Sequence, residues 1–170
     1  MTRSRGFIVS SGGPAGMITA YIDGGARGNP GPAGYGVHIE DGNGALVEEL
    51  HGALGVATNN VAEYNGLLAA LRWAADRGER HLRIRSDSEL LVKQIRRDYK
   101  VKSPDLKELY DRATILIRKL TSFSIQHVLR EKNRDADRLA NWAMDNPALC
   151  GSSYIHGRRQ GAASSLTKKS

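Results

Sequence analysis

The sequence has a single cysteine, Cys150, and aromatic residues make up only 6% of its 170 residues. One thiol cannot form an intramolecular disulfide, and it cannot build a cysteine-based zinc site. Long hydrophobic runs are also missing, since the apolar run near the N-terminus, from Phe7 to Val9, is three residues long. That run is too short for a signal peptide or a membrane span, so we expect a cytoplasmic protein with no membrane partner.

Negative charge is scarce at both ends of the chain, whose net charge is +7. The segments 1–16 and 147–170 contain no acidic residue and hold six basic residues, so the remaining body has a net charge of only +1. The six are Arg3, Arg5, Arg158, Arg159, Lys168 and Lys169. Such ends could attract phosphates, or they could be solubilising disordered ends. We expect a flexible N-terminal segment over 1–16, one domain over 17–146 and a basic flexible C-terminal tail over 147–170.

The spacing of apolar residues predicts the element order βββαβααβα. ITAYID alternates as a strand does, GNPGPAG is a predicted turn, and YGVHIED and ALVEELHGAL form a predicted hairpin around Gly42-Asn43-Gly44. HLRIRSD and SFSIQHVLR are the other predicted strands. Helices are predicted for 60–77, SELLVKQIRR, 104–120 and 134–144. A strand, crossover and strand unit normally pairs in parallel, so this order predicts an α/β fold with helices on a mixed sheet.

Four acidic residues lie at the edges of four different predicted elements: Asp23, Glu63, Asp87 and Asp137. Asp23 and Asp87 end two predicted strands, and parallel neighbouring strands would bring both to the sheet edge where α/β folds bind ligands. Glu63 and Asp137 lie in the first turns of predicted helices, from which they could reach the same place. Carboxylates this close repel each other unless hard cations such as Mg²⁺ relieve the repulsion. The pattern therefore predicts a two-metal phosphoryl-transfer site.

Each acid taken alone also has a simple structural explanation. Asp23 could form a turn with the glycines that follow it, and Asp87 could cap a helix. Glu63 and Asp137 could complement the dipoles of their helices. A structural role is favoured for any one of them, whereas the four together, with the residues that flank them, favour catalysis.

The segments around these acids resemble the ribonuclease H type 1 family over residues 17–146. The similar motifs are YIDGGARGNPG, TNNVAEYNGLLAAL, IRSDSELLVKQI and VLREKNRDADRLAN. The resemblance implies a ribonuclease H-like five-stranded mixed sheet, with three antiparallel strands, then two parallel strands, and helices on both faces. It also implies an endoribonuclease that hydrolyses the RNA strand of RNA/DNA hybrids with Mg²⁺ or Mn²⁺, two ions per active site, and leaves 5′-phosphate and 3′-hydroxyl ends.

Residue by residue, the resemblance assigns the catalytic and metal-binding roles to the four acids. It assigns substrate contacts to Gly24, Asn29, Asn59, Asn60, Ser88 and Arg130. The implied partner is an RNA/DNA hybrid, with double-stranded RNA open as a side substrate, and we expect a monomer. Two other functions also stay open, namely another nuclease of the wider superfamily and a non-catalytic module that binds hybrids.

Two features separate the chain from well-known bacterial members of this family. Those members have a histidine in a longer loop before the last aspartate, whereas the segment REKNRDAD is short and has none. We interpret His127, within the predicted strand SIQHV, as a packed or surface residue rather than a replacement. A basic protrusion is also missing, since RRDYKVKSPDLKELYDRA runs almost directly from helix to helix. The short ending resembles an archaeal, bacterial and plant subgroup in which Arg130 would contact the active site.

Overall fold

Five strands form one mixed sheet within residues 16–150, the part of the chain that this computed structural model describes. They are β1 (Met17–Ala26), β2 (Gly31–Glu40), β3 (Leu46–Ala57), β4 (His81–Ser86) and β5 (Ser122–His127). Their order across the sheet is β3-β2-β1-β4-β5, in which β1, β2 and β3 pair antiparallel and β1, β4 and β5 pair parallel. The predicted fold class is therefore confirmed. Most of the expected terminal segments, 1–16 and 147–170, lies outside the described residues.

Four α-helices accompany the sheet: α1 (Asn59–Arg77), α2 (Glu89–Ile95), α3 (Pro104–Ile117) and α4 (Arg134–Asp145). Short 3₁₀ turns follow β5 and α4, at Arg130–Lys132 and Pro147–Leu149. The Thr58 hydroxyl caps α1 by accepting a hydrogen bond from the Val61 amide, and Gly78 ends it in the left-handed conformation that favours glycine. Among residues 16–150, no helix combines the length and apolar character that crossing a membrane requires.

Several element boundaries differ from the predicted ones, and two of these differences change the position of an acid. Pairing of β1 with β2 continues to Ala26, so Asp23 lies inside the strand rather than at its end. Because Thr58 supplies the cap, α1 begins at Asn59, which leaves Glu63 one turn into the helix instead of in its first turn. The predicted turn GNPGPAG also contains the start of β2, since Gly31 already pairs with β3.

Helices cover both faces of the sheet because successive residues of a strand point to opposite sides. On one side α1 lies against β1 and β2, where a methyl group at Gly66 would meet Ile22 Cβ and Tyr35 Cβ at 3.6 Å. The large side chains buried there form the core: Ile22, Tyr35, Val37, Ile39, Tyr64, Leu67, Leu68, Leu71, Leu82 and Ile84. On the other side α4 covers β1, β2 and β3.

The close approach of α4 to β2 depends on Gly36. A methyl group at this position would lie 2.4 Å from the Ala136 carbonyl oxygen and 2.5 Å from Leu139 Cβ, well inside van der Waals contact. The missing side chain lets the first turns of α4 lie directly on the strand. The position of the helix above the sheet, and of every side chain that it carries toward the sheet edge, is therefore set by close packing at this residue.

Replacement Gly36→Ala should destabilise the protein, by roughly 1–3 kcal/mol, because the added methyl would overpack the contact with α4. Equilibrium unfolding in urea would measure the change. Gly25→Ala is the matched control on the neighbouring strand, since its methyl would meet Met144 Cε at an ordinary 3.6 Å. Equal stability of the two variants would contradict this account of the packing.

Candidate active site

The end of the parallel pairing between β1 and β4 brings the first two acids together. This pairing ends at Ile22 and Ser86, so Asp23 and Asp87 are the next residues of the two neighbouring strands. Asp23 is nevertheless only 7% exposed, because it still pairs with β2 on its other side. Their closeness, predicted from strand order, follows from the parallel register.

Glu63 reaches the same point from α1 because the helix touches β1 at Gly24. A methyl group on Gly24 would lie 2.3 Å from the Ala62 carbonyl carbon and 2.5 Å from the Glu63 nitrogen, so this approach requires glycine. The Gly24 backbone N–H also donates hydrogen bonds to the carboxyl groups of Asp23 and Glu63. As a result, Asp23, Glu63 and Asp87 each offer a carboxyl oxygen, all within 4.8 Å of one another.

Asp137 joins this group from the first turn of α4, as predicted. Its carboxyl contacts that of Asp23. Asn141, one turn later in α4, donates from Nδ2 to the Asp137 carboxyl at 3.3 Å and to the Asp137 carbonyl at 3.0 Å. The structure therefore brings all four predicted acids to one place.

Burial and mutual repulsion make it costly to ionise this group. Burial, followed by the negative charge of Asp87 and the contact with Asp137, raises the pKa of Asp23 from 3.8 to about 8. Burial also raises the pKa of Glu63 well above its ordinary value, and the charges of Asp23 and Asp87 add to that effect. Without a cation, the site would hold protons that ordinary surface carboxyl groups release.

Asn133 supports the site, although sequence analysis gives it no role. It is 1% exposed, and its Nδ2 donates to the Ile22 carbonyl at 2.9 Å, which fastens the residue before α4 to β1 next to Asp23. Burial raises the pKa of Asp87, while the charge of Arg130 and a hydrogen bond from Asn133 act in the opposite direction. The only signal in the sequence is the position of Asn133 within the motif VLREKNRDADRLAN.

The donor set fits a hard divalent cation. Oxygen atoms of carboxylates are the ligands that Mg²⁺ and Mn²⁺ prefer. Glu63 Oε1 is buried and has no hydrogen-bond partner among the described residues, which is costly for an ionised carboxylate without a cation. Asp23, Glu63 and Asp87, three of the four acids that the sequence singles out, could therefore hold a metal ion, and Asp137 lies beside them.

A cleft of about 590 Å³ opens over the acids. All four line it, together with three of the expected substrate contacts: Gly24, Asn59 and Arg130. Arg130 lies in the 3₁₀ turn after β5, and its positive charge favours the ionised forms of Glu63 and Asp87. The cleft thus combines a negative floor with a cationic side chain at its edge.

The other three expected contacts, Asn29, Asn60 and Ser88, do not line this cleft. Asn29 Oδ1 accepts a hydrogen bond from the Asn59 backbone N–H at 3.0 Å, which links the turn after β1 to the start of α1. The Ser88 hydroxyl caps α2 by accepting from the Leu91 amide at 3.2 Å, so the residue beside Asp87 performs the capping role. Asn60 is exposed in the first turn of α1.

Further side chains line the cleft without having been assigned to it, among them His127 and Arg27. His127 is the last residue of β5 and is exposed, which agrees with its interpretation as a surface residue, but that surface is the cleft itself. Arg27 lies in the turn between β1 and β2, inside the quoted motif YIDGGARGNPG. Neither could be placed from sequence, since their proximity to the acids depends on how the turns fold back over the sheet edge.

A second polar cluster holds α4 against the sheet on the side away from the cleft. His38 of β2 is 8% exposed, and its two ring nitrogens lie 2.9 Å from Glu49 and 3.0 Å from Glu40. Arg138 of α4 donates to Glu49 at 2.8 Å and also contacts Asp135, which lies 3.8 Å from His38. These ion pairs lie one turn from Asp137 and help to fix the helix that carries it.

Known proteins with similar sequences and structures share this arrangement of elements. A family model described as "Reverse transcriptase-like" matches residues 21–143. The chain is 44% identical over 131 residues to ribonuclease HI of Halobacterium salinarum, covering 77% of this chain and 66% of that protein. It is 46% identical over 133 residues to the bifunctional protein Rv2228c of Mycobacterium tuberculosis, covering 77% of this chain but 36% of that protein.

A solved structure agrees with the sequence comparisons. LC11-RNase H1 in complex with an RNA/DNA hybrid superposes with a TM-score of 0.73 at 42% identity, covering 77% of this chain and 99% of that one. The chain spans about two thirds of the length of the Halobacterium salinarum protein and about one third of the length of the Mycobacterium tuberculosis protein. Its fold, its four motifs and these similarities lead to one conclusion: the chain belongs to the ribonuclease H type 1 family.

Proposed function

We propose that this protein is an endoribonuclease that hydrolyses the RNA strand of RNA/DNA hybrids. The main observation is the convergence of four carboxyl groups from four elements at the base of one cleft, three of them with oxygens within 4.8 Å of one another. Relatives named ribonuclease HI, and the solved structure of one RNase H1 with a hybrid, support this choice of reaction and substrate. A non-catalytic hybrid-binding module is disfavoured because all four acids are present.

Asp23, Glu63, Asp87 and Asp137 would hold Mg²⁺ or Mn²⁺, and we propose two ions per active site. When bound, the two cations would activate a water for attack on the scissile phosphorus and stabilise the leaving 3′-oxygen, giving 5′-phosphate and 3′-hydroxyl ends. No protein nucleophile is then needed.

The surrounding residues keep the acids in position for this reaction. The Gly24 amide binds two of the carboxyl groups, and Asn133 and Asn141 donate to two others. Each of these contacts limits the rotation of a carboxyl group, and those from Gly24 and Asn133 favour the ionised forms of Asp23, Glu63 and Asp87. The protein therefore holds an ordered set of carboxyl groups whose full ionisation needs a cation to balance the charge.

Recognition of RNA is proposed to depend on its 2′-hydroxyls rather than on its bases. Two polar groups that line the cleft with the acids are the Gly24 backbone and the Asn59 side chain, which already accepts from the Ala26 amide at 2.8 Å. Asn29, Asn60, Ser88 and Arg130 stay proposed substrate contacts, although three of them lie outside the cleft. A monomeric state and a cytoplasmic location also stay predictions.

The replacement Asp87→Asn should reduce the rate of hybrid cleavage in Mg²⁺ by more than about 100-fold, because it removes a charged ligand rather than a supporting contact. A labelled hybrid and a gel-based time course would measure the rate. Asp105→Asn in the first turn of α3, outside the cleft, is the control and should retain wild-type activity. An Asp87→Asn enzyme with more than a few per cent of the activity would refute the proposed role.

Stability without metal should fall as the pH rises from about 4 to 8. Asp23 has a pKa of about 8 in the folded protein, against 3.8 for an ordinary aspartate, so folding binds a proton in this range. The stabilisation is complete below the lower value and is lost as the pH approaches the higher one. Urea unfolding in EDTA would show the trend, Asp23→Asn should flatten it, and Mg²⁺ at pH 8 should restore stability. An identical pH dependence in both proteins would contradict the assignment.

A substrate panel separates the proposed activity from its alternatives. Hybrid should be cut fastest, double-stranded RNA more slowly, and DNA duplexes and Holliday junctions not at all, because the proposed contacts need 2′-hydroxyls. Initial rates at equal concentrations, with an EDTA blank for each substrate, would establish the order. Preferential cutting of junctions would instead indicate another nuclease of the superfamily.

A further inference from the structure

Arg27 gives the cleft a second cationic side chain, placed apart from Arg130. It lies in the turn between β1 and β2, whereas Arg130 follows β5, and both line the cleft that contains the four acids. Arg27 directly follows Ala26, whose amide binds the Asn59 side chain. The Arg27 backbone therefore lies beside a group already proposed to contact the substrate, and its side chain lines the same cleft.

Two acceptors on α4 hold this guanidinium. Its Nη1 donates to Asp145 Oδ1 at 2.5 Å, and its Nη2 donates to Asn141 Oδ1 at 2.9 Å. Both charged side chains are about half exposed, with 46% exposure for Arg27 and 57% for Asp145. Exposed ion pairs contribute little to stability, so a stronger anion could replace Asp145 at small cost.

A nucleic-acid phosphate is the anion that fits. The planar guanidinium presents paired N–H groups that match phosphate oxygens, and this match makes arginine a common phosphate ligand. The acids in the floor of the cleft repel a polyanionic substrate everywhere except at bound cations. Phosphates that flank the reacting one therefore need positive side chains, and Arg27 and Arg130 are the arginines that line the cleft among residues 16–150.

We propose that Arg27 binds a backbone phosphate of the hybrid, and that Asp145 holds the guanidinium in the absence of substrate and competes with that phosphate. This inference rests on the proposed function, since it needs a nucleic-acid duplex in the cleft. Asn141 contacts both Arg27 and Asp137, so the guanidinium stays aligned with the acids when it changes partner.

A purely structural role would give a different pattern of mutant effects. If the ion pair only fastened the turn after β1 to α4, loss of either partner would weaken hybrid binding to a similar extent. A phosphate-binding role predicts opposite signs instead, because loss of Arg27 removes the ligand whereas loss of the Asp145 charge removes its competitor.

The test compares Arg27→Gln with Asp145→Asn in steady-state cleavage of a hybrid in Mg²⁺ over a range of salt concentrations. Arg27→Gln should raise KM by roughly three- to tenfold, with kcat within about twofold of the wild-type value. The negative slope of log(1/KM) against log salt should become less steep by about one. Asp145→Asn should lower KM. Arg77→Gln is the matched control, an exposed arginine paired with Glu48 and outside the cleft, and its KM should not change.

Equilibrium binding supplies a readout that is independent of turnover. On the Asp87→Asn background, fluorescence anisotropy with a labelled hybrid should show weaker binding when Arg27→Gln is added and tighter binding when Asp145→Asn is added. Unfolding in urea would verify that neither variant is misfolded.

The outcomes distinguish this inference from the function on which it rests. If the wild type cleaves hybrids, and Arg27→Gln binds and cleaves them with the same affinity and rate, the phosphate role is wrong and the proposed function stands. An increase of KM in both variants would show a structural tie and likewise overturn the phosphate role. Failure of the wild type to cleave or bind hybrids would overturn both proposals together.

Discussion

Repulsion among carboxyl groups in a partly buried cleft is the constraint on which the rest of the site depends. Asp23 and Glu63 are held where water cannot solvate their charges fully, the charge of Asp87 raises the pKa of both, and the charge of Asp23 raises the pKa of Glu63 further. Such an arrangement stores an unfavourable energy that protons or cations must relieve. A site of this kind lowers the stability of the fold but binds divalent metal well. Much of the surrounding packing therefore serves to hold the acids in place.

The scaffold withstands this repulsion by close packing rather than by many polar contacts. Gly24 lets α1 touch β1, and Gly36 lets α4 lie on β2, so two helices reach the sheet edge at distances that no larger residue allows. The buried Asn133 then joins the start of α4 to β1 beside Asp23, and the ion pairs around His38 also hold this helix against the sheet. Positive charge is kept to the rim, on Arg27 and Arg130, where it can meet a polyanion without neutralising the floor.

Sequence reasoning succeeded where a local pattern carries the information. Alternation and helical spacing located every strand and α-helix among residues 16–150, though neither short 3₁₀ helix, and strand order placed Asp23 beside Asp87. It was less successful at boundaries, because pairing with β2 extends β1 past Asp23 and because Thr58, not a later residue, caps α1. It also missed Arg27, Asn133 and Asn141, whose positions result from turns and helix packing that no periodicity records.

The chain by itself determined the order of elements, the mixed sheet and the identity of the four acids, since these depend on periodicity, turn residues and motifs of adjacent residues. Only the tertiary structure decided which polar side chains line the cleft and which serve as caps and ties, as Asn59 and Ser88 illustrate. The reason is physical: a capping hydroxyl and a substrate-binding hydroxyl are the same group in sequence, and only the neighbours that folding brings to it separate the two roles.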